Sequence, residues 1–268
     1  MLEVENLIAA LVEPSHVQAQ IIKAALAERG IDQVTVYESG AKLFDALSTK
    51  LPDLIFSALY LPDMTGTDLV YTLRDTPAWA DLPYILISSE TNPYYLDPVR
   101  QAGTMAILPK PFTQAQLTMA LENTLDFLNA ESLDLGIDVG ADFADLAVLL
   151  VDDSSTARHH IRTILEKIGF EKIYEANNGL EAVPMLNAQL FDLVFTDYNM
   201  PQMDGRALVE FIRKESMQSS VPIIMVSSED NQGRLSAVEA AGVSAICDKP
   251  FGIEVVRKLA GQLLANRE

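Results

Sequence analysis

The sequence has few basic residues. Its 268 residues include 19 lysines and arginines against 38 aspartates and glutamates, which gives a formal net charge of −19. A protein that binds a nucleic-acid backbone needs a basic face, so a nucleic-acid partner is not expected. Solubility is the main explanation of the acidity, although an acidic patch could also attract a divalent cation.

Cysteine and long apolar runs are also scarce. Cys247 is the only cysteine, so no internal disulfide can form and a reducing compartment is favoured. It lies in the apolar run VSAIC, where a buried structural thiol is expected. No apolar run approaches the roughly 20 residues that span a bilayer, and no basic segment precedes the apolar N-terminal stretch. These absences predict a cytoplasmic protein that does not contact a membrane.

The sequence repeats itself at one constant offset. The matched blocks, each pair 139 positions apart, are LIAALVEPSHVQAQIIKAAL with LAVLLVDDSSTARHHIRTIL, PDLIFSALYLPDMTG with FDLVFTDYNMPQMDG, LPYILISSE with VPIIMVSSE, and AGTMAILPKPF with AGVSAICDKPF. Chance similarity would not keep a single offset across four separated blocks. The chain is therefore interpreted as a duplication, with a first unit at 1–130 and a second unit at 146–268.

An acidic segment separates the two units. Residues 131–145, ESLDLGIDVGADFAD, carry five acids and two glycines, and no lysine or arginine occurs between Pro111 and Ala157. This composition predicts an exposed linker. Four apolar residues alternate with others in it, which leaves a short edge strand or a packed connector as alternatives. They are Leu133, Leu135, Ile137 and Val139.

Each unit alternates short apolar runs with amphipathic stretches. In the second unit the predicted strands are AVLLV, KIYEA, DLVFT, PIIMV and SAIC, and the predicted helices are 155–168, 178–188, 205–215, 231–241 and 252–265. Val, Ile and Leu fill the strands without polar alternation, as in parallel strands buried on both faces. The pattern predicts an α/β fold with a doubly wound five-stranded parallel sheet in each unit and functional loops at the strands' carboxyl ends.

Polar residues end four strands of the second unit. Asp152 and Asp153 follow the first strand, Asp197 the third, Ser227 the fourth and Lys249 the fifth. At one rim the three carboxylates would repel, since two unit charges about 4 Å apart interact by about 4 kcal/mol at an effective dielectric near 20. Lys249 and a hard divalent ion, Mg²⁺ above all, would offset this repulsion. A carboxylate there could attack phosphorus, with the equatorial oxygens stabilised by Mg²⁺, Lys249 and Ser227.

Each of these residues also has a purely structural alternative. An aspartate after a strand is common as a helix cap or turn residue, and Ser227 could cap the following helix. Lys249 could be solvated before the turn-forming Pro250. Singly these alternatives are favoured, but jointly they are not, because four independent strand ends carry complementary groups.

Four segments of the second unit carry a family resemblance. VLLVDDS, DLVFTDYNMPQMDG, IIMVSSE and DKPF resemble the receiver domains of two-component response regulators, over nearly the whole unit. The resemblance implies flavodoxin-like (βα)5 domains in which Asp197 accepts a phosphoryl group from a histidine kinase or a phosphotransfer protein. It implies that Asp152, Asp153 and Asp197 bind Mg²⁺ together with the backbone carbonyl of Asn199.

The resemblance also assigns the remaining residues of the site. Lys249 would pair with the phosphate, Ser227 would move toward it, and the Lys249–Pro250 bond would be cis. The family often has Tyr or Phe three residues before the lysine, where this chain has Ile246. This departure leaves open how the fourth helix, fifth strand and fifth helix report phosphorylation.

The first unit has the same scaffold without the same site. Glu13 and Pro14 replace the acidic pair, Ala58 replaces the phosphoacceptor, and Tyr60 stands at the metal-carbonyl position. Ser57, which aligns with Thr196, is expected to point away from the rim. The positions that keep the pattern are Ser88, Lys110 and Pro111. Alanine cannot accept a phosphoryl group, so the first unit is interpreted as a pseudo-receiver.

The predicted function is that of a signalling switch. Only the short tail LANRE follows the second unit, so output is expected through an unidentified protein target, the first unit or self-association as a homodimer. A phosphohistidine site at His159 or His160 is not expected, because no four-helix phosphotransfer bundle is visible. An enzyme acting on other molecules is disfavoured, because Asn199 stands where aspartyl-phosphate hydrolases usually place a second acid. A scaffold or phosphate sink without regulated output remains an alternative.

Overall fold

The computed structural model describes residues 2–129, 143–227, 240–250 and 252–265. The chain folds into two compact units, Met1–Ser132 and Leu133–Glu268. Only 143–145 of the predicted linker are described. Of the predicted helix at 231–241 only the last two residues are described, and both are helical. No helix of the described segments combines the length and apolarity needed to cross a bilayer.

The first unit is a parallel five-stranded sheet with flanking helices. Its strands are β1 (Ile8–Val12), β2 (Gln33–Tyr37), β3 (Leu54–Ser57), β4 (Tyr84–Ser88) and β5 (Ala106–Pro109). Its helices are α1 (His16–Ala27), α2 (Gly40–Leu47), α3 (Gly66–Asp75), α4 (Pro93–Gln101) and α5 (Gln114–Asn129). The strand order is β2-β1-β3-β4-β5, and every neighbouring pair is parallel.

The second unit repeats this arrangement. Its strands are β6 (Ala147–Val151), β7 (Lys172–Ala176), β8 (Leu193–Asp197), β9 (Ile223–Ser227) and β10 (Ala245–Asp248). The described helices are α6 (Ser155–Lys167), α7 (Gly179–Ala188), α8 (Gly205–Lys214) and α9 (Ile253–Ala265). The strands are parallel in the order β10-β9-β8-β6-β7. The predicted fold of two five-stranded parallel α/β sheets is confirmed.

Three strands of the second unit lie one residue further along the chain than the sequence predicts. They are β8, β9 and β10. Pro222 has no N–H to donate, which suits a position just before β9. As a result Asp197 and Ser227 are the last residues of their strands rather than the first residues after them.

Burial follows the order of the strands. All residues of β3, β4, β8 and β9 are buried, whereas the edge strands β2 and β7 are largely exposed or half-buried. A buried Val, Leu, Ile or Phe side chain contributes about 1.5–3 kcal/mol, so the central strands are the most firmly held. The carboxyl ends of these strands are therefore a rigid platform for side chains at the rim.

A glycine after β8 packs the next helix against the rim. A Cβ on Gly205, the first residue of α8, would clash with the backbone carbonyl of Asp197. The preceding Asp204 caps α8 by accepting a hydrogen bond from the N–H of Ala207 at 2.8 Å. The first unit has the same close approach between Gly66 and the carbonyl of Ala58. Both units therefore hold the end of the third strand directly against a helix N-terminus.

Candidate functional site

A buried lysine bridges two buried carboxylates at the rim of the second sheet. The Nζ atom of Lys249 lies 2.9 Å from Oδ2 of Asp152 and 2.9 Å from Oδ1 of Asp197. None of the three side chains is more than 4% exposed. Asp152 follows β6, Asp197 ends β8 and Lys249 follows β10, so three parallel strands bring the groups together.

The second carboxylate oxygen of Asp152 and of Asp197 accepts a hydrogen bond from the loop that follows the residue. Oδ1 of Asp152 accepts a hydrogen bond from the N–H of Ser154 at 2.9 Å. Oδ2 of Asp197 accepts one from the N–H of Asn199 at 2.7 Å. Hydrogen bonds to ionised acceptors are among the stronger ones in proteins. Both acids therefore have fixed orientations before any ligand arrives.

The charges at this site do not balance. Burial raises the pKa of the Asp197 carboxyl to about 6, Lys249 opposes this rise, and the charge of Asp152 adds to it. Burial alone would lower the pKa of Lys249, but the charges of Asp197 and Asp152 outweigh burial and raise it. The lysine is therefore a cation between two acids, and burial disfavours the ionised form of Asp197.

The other three predicted site residues surround this group. The side chain of Asp153 lies at the surface beside Asp152, and Asn199 is exposed. Partial desolvation raises the pKa of Asp153, and the charge of Asp152 raises it further. Ser227 is buried at the end of β9, and its backbone carbonyl accepts a hydrogen bond from the N–H of Lys249 at 2.8 Å. The structure therefore places all six predicted residues at or next to the same rim.

These residues fit Mg²⁺ in their chemistry. Within the described segments no three carboxylate, imidazole or thiol groups are arranged as a metal cluster; instead the Lys249 ammonium joins Asp152 to Asp197. The available donors are nevertheless hard oxygens, which Mg²⁺ prefers. The charge of Asp152 also adds to the rise in the pKa of Asp153 that partial burial causes, and a divalent cation would offset that repulsion.

Comparison with known proteins identifies the family. The model of the response regulator receiver domain matches residues 9–122 and 148–260, which is well over half of the chain. The chain belongs to the receiver domain family. It carries two receivers in tandem, the first within Met1–Ser132 and the second within Leu133–Glu268.

Single-receiver proteins are among the relatives. The chemotaxis protein CheY of Pseudomonas aeruginosa is 35% identical over 113 residues, which cover 42% of this chain and 91% of that protein. CheY-3 of Vibrio cholerae is 37% identical over 107 residues, which cover 40% and 82%. The solved structure of CheY4 of Vibrio cholerae is 31% identical, covers 44% of this chain and 99% of its own, and gives a TM-score of 0.42. Each of these relatives matches less than half of the tandem chain.

The first receiver has a different group at the matching rim. Nζ of Lys110 lies 2.7 Å from Oε2 of the buried Glu13, and Oε1 of Glu13 accepts a hydrogen bond from the N–H of Ser15 at 3.0 Å. At this rim Ala58 stands in the position that Asp197 occupies at the rim of the second receiver. One acid thus faces one lysine, and the pair is neutral.

At the rim of the first receiver, Tyr60 is hydrogen-bonded to the loop that follows β4. The hydroxyl of Tyr60 donates to Oε2 of Glu90 at 3.1 Å. Oε1 of Glu90 accepts hydrogen bonds from the N–H groups of Thr91 and Asn92, and the Glu90 N–H donates to Oγ of Ser88 at 3.0 Å. These bonds tie the loop after β4 to the residue that stands at the metal-carbonyl position.

Two further expectations concern the backbone and Ser57. The Lys249–Pro250 bond is cis, as the resemblance implies, and so is Lys110–Pro111. Ser57 is fully buried, and its hydroxyl donates to the carbonyl of Ala58 at 2.9 Å. The Ser57 side chain is therefore enclosed and hydrogen-bonded inside the fold.

No local sequence motif marks Arg158, which reaches the site from α6. Its NH1 group donates to the backbone carbonyl of Asp152 at 2.6 Å, and its Nε donates to Oε2 of Glu175 on β7 at 3.2 Å. A comparison with the first unit could have identified Arg158 and Glu175. Ala19 and Val36 stand at the matching positions of the first receiver, which has Ala58 where the second has Asp197.

Proposed function

We propose that this chain is a response regulator in which the second receiver accepts a phosphoryl group on Asp197 and the first receiver accepts none. The observation that carries the proposal is the contrast between the two rims. One rim has two buried carboxylates around Lys249, and the other has a neutral Glu13–Lys110 pair beside an alanine. A nucleophilic carboxylate is present in the first case and missing in the second.

The reaction is a direct transfer to a carboxylate. A carboxylate oxygen of Asp197 attacks the phosphorus atom of a phosphohistidine, a new P–O bond forms, and the P–N bond breaks with its electron pair leaving on the imidazole. Lys249, already 2.9 Å from Asp197, stabilises the charge on the transferred group. Asp152, Asp153, Asp197 and the carbonyl of Asn199 would hold Mg²⁺, which supplies charge neutralisation for phosphoryl transfer.

The proposed donor is a histidine kinase or a phosphotransfer protein, because such proteins are the partners of receivers. Lys249 already offsets part of the negative charge around Asp197. A phosphoryl group adds about two further negative charges there, so the contacts of Lys249 must change. The backbone N–H of Lys249 is bonded to the carbonyl of Ser227, which connects that change to the end of β9. We infer that the output is a contact with a protein target and that the chain acts on no other substrate.

Intact mass spectrometry tests this function. The protein is incubated with Mg²⁺ and acetyl phosphate beside the variant Asp197→Ala. One added phosphoryl group, absent from the variant, is expected. Two groups would show that the first receiver is active, and no group would contradict the proposal.

Phosphorylated protein also distinguishes a switch from a phosphate sink. Binding of candidate kinases and target proteins is compared with and without acetyl phosphate, with Asp197→Ala as the control. A switch changes at least one affinity, whereas a sink gains and loses phosphate with every affinity unchanged.

A further inference from the structure

Arg158 connects the loop that carries Asp152 and Asp153 to β7, the edge strand of the second sheet. One end of the guanidinium bonds to the Asp152 carbonyl at 2.6 Å and the other to the carboxylate of Glu175 at 3.2 Å. The Arg158 side chain is only 13% exposed. On the opposite side of the loop the N–H of Asp152 donates to the carbonyl of Ala176 at 3.2 Å. Asp152 is therefore held to β7 through both its N–H and its carbonyl group.

A second arginine, Arg162, holds Glu175 in place. NH1 of Arg162 lies 2.7 Å from Oε1 of Glu175, and its Nε lies 2.7 Å from Oε1 of Glu166. Both oxygens of Glu175 therefore accept hydrogen bonds from α6. A carboxylate held by two guanidinium groups has little freedom to move, so the far end of Arg158 has a fixed support.

The first receiver shows that the fold does not need this connection. It makes the matching bond from the N–H of Glu13 to the carbonyl of Tyr37 at 2.9 Å, and β1 pairs with β2 in the same register. The residues that match Arg158, Glu175, Arg162 and Glu166 are Ala19, Val36, Lys23 and Ala27. The contact of Arg158 and Glu175 thus accompanies the acidic pair and the phosphoacceptor, and it is missing where they are missing.

We propose that Arg158 is a positioning residue, which acts through the Asp152 carbonyl and Glu175 to hold Asp152 and Asp153 in the geometry that binds Mg²⁺. The inference rests on the proposed function of this site. The two acids come directly after β6, so a shift of one carbonyl moves both carboxylates relative to Asp197. Residues that orient metal ligands typically change metal affinity by about 10- to 100-fold.

Two variants of opposite charge test the proposal. Arg158→Ala removes a positive charge, whereas Glu175→Gln removes a negative charge. If only their charges matter, the first variant binds Mg²⁺ more tightly and the second more weakly. If Arg158 positions the loop, both variants bind Mg²⁺ about tenfold more weakly. Isothermal titration calorimetry with Mg²⁺ alone measures these affinities on the full chain.

Four further experiments separate positioning from loss of structure. Thermal unfolding identifies any variant that no longer folds, and Arg158→Lys, which keeps the charge but not the forked donor, should bind Mg²⁺ with intermediate affinity. The double variant should be no worse than Arg158→Ala, because both changes break one connection. In the metal-free protein the amide of Ser154 should exchange its hydrogen faster in both single variants.

A matched pair at the other end of β7 controls for charge. Lys172→Ala and Asp145→Asn break an exposed ion pair of 2.8 Å and should leave Mg²⁺ affinity unchanged. Opposite shifts in Arg158→Ala and Glu175→Gln, or no shift, in a chain that binds Mg²⁺ and is phosphorylated would overturn the positioning role alone. A wild-type chain that neither binds Mg²⁺ nor takes up phosphate would overturn the proposed function as well.

Discussion

Asp197 is an acid that works against the folding of its own domain. Burial raises its pKa from 3.8 to about 6, so the folded state binds the acid's proton more tightly than the unfolded state does. Below about pH 4 the acid is protonated in both states and has no effect. As pH rises from about 4 to 6 the folded state is progressively penalised, and above pH 6 the penalty is complete.

Asp197→Asn should therefore stabilise the metal-free protein at neutral pH. A shift of about two pKa units corresponds to a gain on the order of 1–3 kcal/mol. The gain should be full above pH 6 and disappear as pH falls toward 4. Calorimetric unfolding between pH 4 and 8 without Mg²⁺ measures it, with the exposed Asp248→Asn as a control that should change little. A destabilised Asp197→Asn at pH 7 would show that Lys249 needs both acids.

At the scale of elements, one arginine ties the end of a helix to two loops in each receiver. The guanidinium of Arg74, at the end of α3, donates to the backbone carbonyls of Ala80, Leu82, Ala102 and Gly103 at 2.8–3.0 Å. Burial lowers the pKa of Arg74 to about 10, which keeps it charged at neutral pH. Arg213 of α8 donates in the same way to Ser219, Val221 and Gly242, but it is only half-buried.

Replacement by methionine should therefore be more damaging at Arg74 than at Arg213. Arg74→Met leaves four carbonyls without a donor in a buried place, and we expect a loss of about 3 kcal/mol. At Arg213 water can replace the lost donor, and the loss should be about 1 kcal/mol. Urea unfolding of the two variants measures the difference. Equal losses would mean that solvent access does not determine the cost.

The helices and strands were largely predictable from sequence, and contacts between them were not. Runs such as AVLLV identify buried strands, and the residues that end them predict which side chains meet at the rim. The contact of Arg158 with Glu175 joins a helix to an edge strand across 17 positions of chain, and no local pattern marks it. The exact end of β8 was missed for a similar reason, because hydrogen bonds to neighbouring strands decide where a strand ends.

For the whole molecule, the proposed inactivity of the first receiver does not depend on Ala58 alone. Pro14 and Tyr60 replace two further positions of the site, and Glu13 already pairs with Lys110 at 2.7 Å. The hydrogen bond from Tyr60 to Glu90 also holds the neighbouring loop. A new acid at position 58 would therefore enter a rim where Pro14 supplies no second carboxylate and Glu13 is already paired with Lys110.

Restoring the missing carboxylate should not restore the reaction. The combined variant Ala58→Asp with Asp197→Ala should gain no phosphoryl group in the time that the wild type takes one fully. Intact mass after incubation with Mg²⁺ and acetyl phosphate measures this outcome, and Ala58→Asp alone should gain only one group. A phosphorylated combined variant would mean that the loss of one side chain was sufficient to silence the receiver.

The neutral Glu13–Lys110 pair has a consequence for how the two copies can diverge. Under the proposed function, a mutation at the second rim is exposed to selection on chemistry, since it changes charge, metal binding and nucleophile together. A mutation at the first rim is tested only by whether the sheet still folds and its outer surface still fits its neighbours. Under the proposed function, the first copy is therefore the one whose surface is free to acquire new specificities while its twin stays constrained.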